Sequence, residues 1–498
     1  MKALRRLFSP GLALGLALLA GCDPGGPSKE KLNLILISLD TCRADRLSCY
    51  GAKRETSPNL DAFAAEAVQF EDCLAQSALT APSHMSLLTG HYVHRHGLRN
   101  NQGSVTPPYS LASHLSALGW ETAAFTGHGS FQEKHGLGYG FDTFQSVIDE
   151  NNPFTRHLEH VVPEALDWLD DKQEAPFFLL VHAYDPHCPF WPDEPFRTEY
   201  GGWYRGRFKD ELQGLCHPRR FGEKMSSGEI GTQEVKYIND MYDAGVAASD
   251  VWIGSFLDQI EKRGLLDDSI IVFTSDHGEV LGNHGWVGHG QVWEEALRVP
   301  LLVRFPDGQW SRTIDQPVQH VDIVPTILAG LNAPELPGLH GIDLMPLIRS
   351  EIPELSEDRM RLAHVGKENL MALRFGTRWK ATFHEGKSKI TNAGLYDLRK
   401  DPLEQTNLCK EEKGKERFDK IARRYLRWRK KTKDEDERFA GREGAGLTSD
   451  DDMEMLKALG YVDDSGGGGQ GSTAPDSDEF DEVDGGGEDG EFESSAGS

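Results

Sequence analysis

Four runs of almost unbroken apolar residues punctuate the chain before residue 310: Leu32–Ser38 (LNLILIS), Pro176–Asp185 (PFFLLVHAYD), Asp268–Gly278 (DSIIVFTSDHG) and Val299–Pro306 (VPLLVRFP). An apolar run without polar alternation suits a strand buried on both faces, which is the habit of parallel sheets. Helix-like stretches lie between them, at Pro58–Ala67, Ser110–Leu118 and Glu234–Arg263. Alternating strands and helices predict an α/β fold, a three-layer α/β/α sandwich around a large, mostly parallel central sheet. Ligands gather at the carboxyl ends of such strands. Asp40, Asp185, Asp276 and His277 all follow the strand-like runs.

The segment Leu79–Gly90 (LTAPSHMSLLTG) reads as a turn entering a helix, with Pro82 fixing φ and Ser83 placed to cap. After about residue 350 the pattern changes. Leu370–Phe383 and Ala393–Leu408 suggest a small antiparallel sheet, and Lys410–Lys433 a charged helix with Ile421, Tyr425, Leu426 and Trp428 on its apolar face. Its basic run RRYLRWRKK reads as a solvated face rather than a membrane contact. From Asp463 onward, Gly, Ser, Asp and Glu without aliphatic periodicity read as disorder.

The first residues follow a targeting pattern. Lys2, Arg5 and Arg6 precede an apolar stretch, Leu12–Ala20, too short for a comfortable membrane span. Leu19-Ala20-Gly21-Cys22 resembles a bacterial lipoprotein signal, in which the cysteine is lipidated. The expected organisation is a signal peptide with its lipidation cysteine (1–22), a tether (23–30), a catalytic α/β domain (31–350), a C-terminal subdomain (351–462) and an acidic Gly-rich tail (463–498). The expected location is a bacterial cell envelope, with the chain lipid-anchored and facing the periplasm or exterior.

Net charge is −26, which argues against nucleic acid as a partner. The tail alone carries twelve acidic and no basic side chains. Six cysteines follow Cys22, and an oxidising compartment would permit disulfides whose pairing spacing does not reveal. Oligomeric state is left open.

The candidate chemistry lies at Asp40, Thr80, Asp276 and His277. Two carboxylates, an imidazole and a hydroxyl suit a hard-to-borderline divalent cation. Each alone has a plainer reading: a strand-end Asp is often a helix cap, and a single His is usually structural. SDHGE (Ser275–Glu279) after a buried strand is harder to dismiss, because ionisable groups there are costly unless paired or bound to a cation.

SLDTCRADRLSCYG (Ser38–Gly51), TAPSHMSLLTG (Thr80–Gly90), VHAYDPHCPF (Val181–Phe190), FTSDHGEVLGNHG (Phe273–Gly285), HVDIVPTIL (His320–Leu328) and AGLYDLRKDPLEQTNL (Ala393–Leu408) resemble the sulfatase family of the alkaline phosphatase superfamily. The resemblance spans roughly residues 32–462 and includes LKALGYV (Leu456–Val462). It implies an alkaline phosphatase-like fold and a hydrolase of ester bonds with one bound divalent ion (Mn, Mg, Zn or Ca), held by Asp40, Thr80, Asp276 and His277. In sulfatases the nucleophile is a Cys or Ser oxidised to formylglycine. Here that position is Thr80, whose Cβ carries a methyl group and cannot give the aldehyde, so no formylglycine is expected. Threonine resembles instead the phosphotransferring and phosphodiester-cleaving relatives. The resemblance places His187 and His289 where the family contacts the substrate, His84 at the usual arginine, and His128 at a further basic position. One of these is expected to protonate the leaving oxygen.

Family sulfatases carry two adjacent aspartates after the first strand, whereas this chain has Asp40-Thr41. Two-metal relatives carry Asp-x-x-x-His, but residue 189 is proline, so Asp185 is not expected to hold a second ion. His91, His94 and His96 read as structural or rim residues, and His284 as support for the SDHGE loop. Trp191–Gly231 offers aromatic and arginine side chains for specificity or for packing. The expected function is in-line attack of Thr80 on a phosphate mono- or diester, in a small-molecule or glycan substrate. The alternatives are a sulfate esterase using unmodified threonine and an inactive binding protein for sulfated or phosphorylated glycans.

Overall fold

In the computed structural model, residues 31–127, 129–146, 157–171, 175–190, 192–210, 212–356, 359–366, 368–386 and 390–444 are described. The signal segment with Cys22, the tether, His128, Trp191, LKALGYV and the acidic tail lie outside the described residues. The apolar runs form the centre of an eight-stranded sheet. In chain order its strands are β1 (Asn33–Leu39), β2 (Val68–Phe70), β3 (Glu121–Thr126), β4 (Thr143–Ser146), β5 (Phe177–Ala183), β6 (Ser269–Ser275), β7 (Leu301–Arg304) and β8 (Arg312–Ile314). Their spatial order is β8-β2-β7-β6-β1-β5-β3-β4. Only β7 runs against the others.

The two-residue side-chain period explains the unbroken runs. Ile35, Ile37 and Leu39 of β1 enter one core layer, and Leu34 and Leu36 enter the other. The first layer is closed by α1 (Pro58–Ala65), α4 (Leu158–Asp170) and the long α5 (Thr232–Lys262). The second is closed by α2 (Thr80–Thr89), α3 (Leu111–Ala117) and α6 (Ile323–Gly330). Both sheet faces are therefore dry, and polar residues gather where the strands end. This is the expected three-layer sandwich with a mostly parallel sheet.

A four-stranded antiparallel sheet follows: β9 (Met360–Val365), β10 (Leu370–Phe375), β11 (Trp379–Glu385) and β12 (Ile390–Asp397). The helix α7 (Glu412–Arg438) covers it with Phe418, Ile421, Ala422 and Tyr425. Six ionised side chains link this sheet to the larger one. Lys380 lies 3.0 Å from Glu294 and 2.7 Å from Glu404. Asp72 receives Arg361 at 3.0 Å and Arg374 at 2.9 Å, and Arg374 also meets Glu294.

Candidate functional site

Asp40 and Asp276 are neighbours because the ladder continues past the strands. The Asp40 N–H donates to the Ala183 carbonyl at 3.0 Å, and the Asp276 N–H to that of Leu39 at 3.2 Å. Asp276 is oriented by backbone: its Oδ1 accepts from the N–H groups of Thr41 (3.1 Å) and His277 (2.7 Å). Its Oδ2 is thereby turned toward His277 Nε2, 3.5 Å away, and that nitrogen is 3.9 Å from Asp40 Oδ1. All three side chains are fully buried, and their ligand atoms lie within 4.8 Å of one another.

His277 Nδ1–H donates to the Gly278 carbonyl at 3.1 Å, which leaves an Nε2 lone pair facing two carboxylates. Three electron-rich groups thus converge in a fully buried place. Burial, then the charge of Asp276, holds the Asp40 carboxyl well above its usual range. Burial raises Asp276 to about 6 and lowers His277 to about 4. A divalent cation resolves this convergence, and the mixed N/O donor set suits one.

Thr80 opens α2 directly after Leu79, so the helix starts ahead of the sequence expectation. Pro82 is tolerated in its first turn because the N–H groups there have no intrahelical partner. Ser83 is not the cap. It lies within the helix and donates its hydroxyl to the Asp276 carbonyl at 2.6 Å, which fastens the first turn of α2 to the end of β6. Thr80 Oγ1 is buried and has no hydrogen-bond partner among the described residues; the same holds for Asp276 Oδ2 and His277 Nε2. The positive end of the α2 dipole favours negative charge developing on Thr80 Oγ.

His84 is placed differently from the expected charged contact. Its Nδ1–H donates to the Thr80 carbonyl (2.9 Å) and its Nε2 accepts from Ser38 Oγ (3.1 Å). Burial, reinforced by His182, keeps it neutral. It braces Thr80 from behind and has no ring nitrogen left for substrate. His187 and His289 converge through Nε2 atoms 3.1 Å apart, while each Nδ1–H donates to a carbonyl, of Cys188 (2.6 Å) and Ala78 (2.9 Å). Two such lone pairs need a proton between them, from a tautomer change or from a ligand. The His289 ring also lies 4.4 Å from that of His277. Asp185 is engaged elsewhere: it accepts from His157 Nδ1 at 2.6 Å and from the Leu158 N–H at 2.9 Å, at the start of α4. That pair raises His157 to about 9.

Several supporting contacts were not legible in the sequence. Thr41 stands at φ 59°, an unfavourable conformation for a β-branched residue. It is held by its N–H on Asp276 and by Tyr242 from α5, whose hydroxyl donates to the Thr41 carbonyl at 2.7 Å. Cys188 is bonded to Cys216, which ties the His187 loop to the segment ahead of α5; Cys42, Cys49, Cys73 and Cys409 are free thiols. In the 192–231 stretch, Trp203 and Tyr204 pack on Tyr237 of α5.

Two further groups bring ligand atoms together, His84–His182–Asp276 and His94–His340–Asp436. Neither suits a cation. His84 is committed as described. His340 Nδ1 accepts from the Tyr92 N–H (3.1 Å), so its Nε2 carries the proton. Asp436 already receives Arg95 and Arg429, each at 2.8 Å, and Thr432 at 3.0 Å. His91 and His96 are buried in packing, and His284 stacks on Trp293 with ring centroids 4.2 Å apart.

A mostly parallel α/β sandwich with an acidic, histidine-containing strand-end site and a hydroxyl at a helix start is the architecture of ester hydrolases with an alkaline phosphatase-like fold. The chain belongs to the sulfatase family: the family model described as Sulfatase matches residues 32–333, and that described as N-sulphoglucosamine sulphohydrolase, C-terminal, matches 282–431. An N-acetylglucosamine-6-O-sulfatase of Bacteroides thetaiotaomicron is 25% identical over 496 residues, covering 80% of this chain and 86% of the relative. An arylsulfatase of Clostridium perfringens is 26% identical, covering 80% and 93%. Among solved structures, the phosphonate monoester hydrolase of Agrobacterium radiobacter aligns with a TM-score of 0.66 at 22% identity, over 80% of this chain and 96% of that one. A protein in complex with its substrate D-glucosamine-2-N,6-O-disulfate aligns at 0.64 and 21%, over 81% and 99%.

Proposed function

We propose that this protein is a metal-dependent hydrolase of phosphate mono- or diesters in which the unmodified Thr80 hydroxyl is the nucleophile. The observation that carries this reading is Thr80 itself. Its buried Oγ1, without a hydrogen-bond partner among the described residues, opens α2, which Ser83 fastens to the strand end holding Asp276 and His277. Asp40, Asp276, His277 and Thr80 would hold the cation. When bound, that ion supplies Lewis-acid polarisation of the hydroxyl and of the ester's non-bridging oxygens.

Thr80 Oγ attacks phosphorus in line and expels the alcohol, leaving a phosphothreonine that water then cleaves. Ser83 and His84 hold the first turn of α2 in register for this attack. One of the facing Nε2 atoms of His187 and His289 carries the proton that their 3.1 Å approach requires, and that N–H donates to a transferred or leaving oxygen. A sulfate ester would follow the same first step. Water would then have to displace a sulfated threonine without the hemiacetal route that an aldehyde hydrate provides, and this favours phosphate. The phosphonate monoester hydrolase among the structural relatives keeps phosphorus chemistry within the fold's reach. The sulfate reading stands second because the curated relatives above are sulfatases. The chain is placed in a bacterial envelope, anchored by lipid on Cys22, on the strength of its first residues.

The test is a paired assay of the metal-loaded protein and its Thr80→Ala variant on matched aryl phosphate, aryl phosphodiester and aryl sulfate. Thr80-dependent turnover of a phosphoester with little sulfate hydrolysis supports the reading. Preferential, Thr80-dependent sulfate cleavage overturns it.

A further inference from the structure

One buried acid beside the site has no part in the chemistry described so far. Glu279, two residues after His277, is fully buried, and neither of its carboxylate oxygens has a hydrogen-bond partner among the described residues. A buried acceptor left unmet costs on the order of 1–3 kcal/mol, and a charged one more, so its retention needs a physical reason. The neighbouring Arg43 does not supply one. Its Nη1 donates to the Glu279 carbonyl (2.9 Å) and to the Glu295 carboxylate (2.7 Å), and its Nε and Nη2 donate to Asp45 at 2.8 and 2.7 Å. The guanidinium charge is thus divided between Asp45 and Glu295, and the Glu279 carboxylate stands outside those contacts.

The position of that carboxylate singles it out. Burial works against its charge, while the Thr41 hydroxyl, Arg43 and the Cys188 N–H favour it, and it is near enough to Asp40 and Asp276 for the charges to act on one another. Its Oε1 faces Gly288, where a Cβ would lie 3.7 Å away. Each of these neighbours adjoins a residue of the site. Thr41 follows Asp40, Cys188 follows His187, and Gly288 precedes His289. Cys188 is itself well anchored: its carbonyl accepts from the Tyr184 hydroxyl and from His187 Nδ1, each at 2.6 Å, and its sulfur is bonded to Cys216. The carboxylate therefore lies where the turns after β1 and β5 meet the short hairpin that pairs Val280 with Gly288. It is not one of the converging ligand atoms, which belong to Asp40, Asp276 and His277.

We infer that Glu279 is a positioning residue that couples the cation site to the histidine pair. Its charge adds to that of Asp40 and Asp276 in holding a divalent ion. The same charge attracts the Thr41 hydroxyl and the Cys188 N–H, which keeps Asp40 and His187 turned toward one point. This role rests on Asp40, Thr80, Asp276 and His277 holding a cation, and is independent of whether the ester is a phosphate or a sulfate. Groups that surround metal ligands in this way change metal affinity or activity by about 10–100-fold when replaced. A purely architectural role fits less well, because Glu279 has no hydrogen bond among the described residues that its replacement would break.

The full-length protein is stripped with EDTA and titrated calorimetrically with Mn²⁺, Mg²⁺, Zn²⁺ and Ca²⁺. Glu279→Gln and Glu279→Asp are then titrated with the ion that the parent binds most tightly. With that ion saturating, kcat and KM are measured on whichever of the three aryl esters the parent hydrolyses fastest. Glu279→Gln keeps the shape and loses the charge, and should weaken ion binding and lower kcat by about tenfold or more each. Its KM should stay within about threefold, the pattern of an interaction made in the transition state. Glu279→Asp keeps the charge and should hold the ion at least about threefold more tightly than Glu279→Gln. Stripped Glu279→Gln should melt no more than about 2 °C below the stripped parent, which also shows that it folds. A loss of less than tenfold in affinity or in kcat for Glu279→Gln overturns the inference, as does a Glu279→Asp variant that binds the ion no better. A stripped Glu279→Gln protein that melts well below the parent would assign Glu279 to the fold and overturn it too. A parent that binds none of the four ions overturns the cation site itself, and that failure is read from the parent alone.

Discussion

At the residue scale, the site rests on hydrogen bonds that commit one atom of a side chain and free another. Asp276 gives Oδ1 to two peptide N–H groups and keeps Oδ2 for a ligand. His277 gives Nδ1 to Gly278 and keeps Nε2. Asp276→Asn should therefore abolish near-stoichiometric metal binding, measured by elemental analysis after dialysis, while the backbone contacts to Oδ1 persist. Thr80→Ser keeps the hydroxyl and should retain activity within about tenfold, whereas Thr80→Ala should lose on the order of 10⁴-fold or more, as expected for removal of a nucleophile. Both are checked by kcat on the preferred ester at equal metal content. Chelation should lower the melting temperature, because an ion that binds only the folded state stabilises it by mass action. An unchanged melting curve in EDTA would argue against a bound cation.

At the element scale, the small sheet is held to the large one by buried charge as much as by apolar contact. Lys380 is fully buried between Glu294 and Glu404. Lys380→Met should destabilise the protein by roughly 3–5 kcal/mol, because it leaves Glu404 buried without a cation and Glu294 with Arg374 alone. The double variant with Glu404→Gln should recover part of that loss. Urea unfolding of the three proteins measures it, and additive losses would mean that the two residues do not act as a pair. The same argument places Asp436 at the join of α7 with the single turn Val93–His96, where it satisfies Arg95 and Arg429 together.

At the scale of the whole molecule, the buried histidines set the response to acid. Burial lowers His94 to about 4 and His340 and His364 to about 3. An unfolded histidine titrates near 6.5, so on acidification the unfolded chain binds protons that the folded chain refuses. Stability is full above about pH 6.5 and is lost as pH falls toward about 4. The carboxylates of Asp72, held low by Arg361 and Arg374, and of Asp436, held low by His340, His94 and Arg95, each against the effect of burial, add a further loss below about pH 4. Urea midpoints should therefore begin to fall between about pH 6.5 and 5, and a midpoint flat to about pH 4.5 would contradict this. Thiol titration of denatured, unreduced protein beginning after Cys22 should count Cys42, Cys49, Cys73 and Cys409 but not Cys188 or Cys216.

The sequence by itself determined the sheet and pointed to most of the candidate ligand set. Unbroken apolar runs of this length suit strands covered on both sides, and the chemically able residues stand just beyond them, as Asp40, Asp276 and His277 do. It also excluded an aldehyde at Thr80, because the Cβ methyl is a matter of covalent structure. What it could not reach were interactions whose partners are distant along the chain. Ser83 looked like a cap because capping is local, yet its partner is the Asp276 carbonyl, 193 residues away. His84 looked like a substrate contact until Ser38 and the Thr80 carbonyl took both its nitrogens. The pairing of Cys188 with Cys216 and the diversion of Asp185 to His157 were likewise decided by tertiary structure. In each case a side chain's chemistry is fixed by its type, but the group that engages it is set by packing between elements that sequence spacing does not relate.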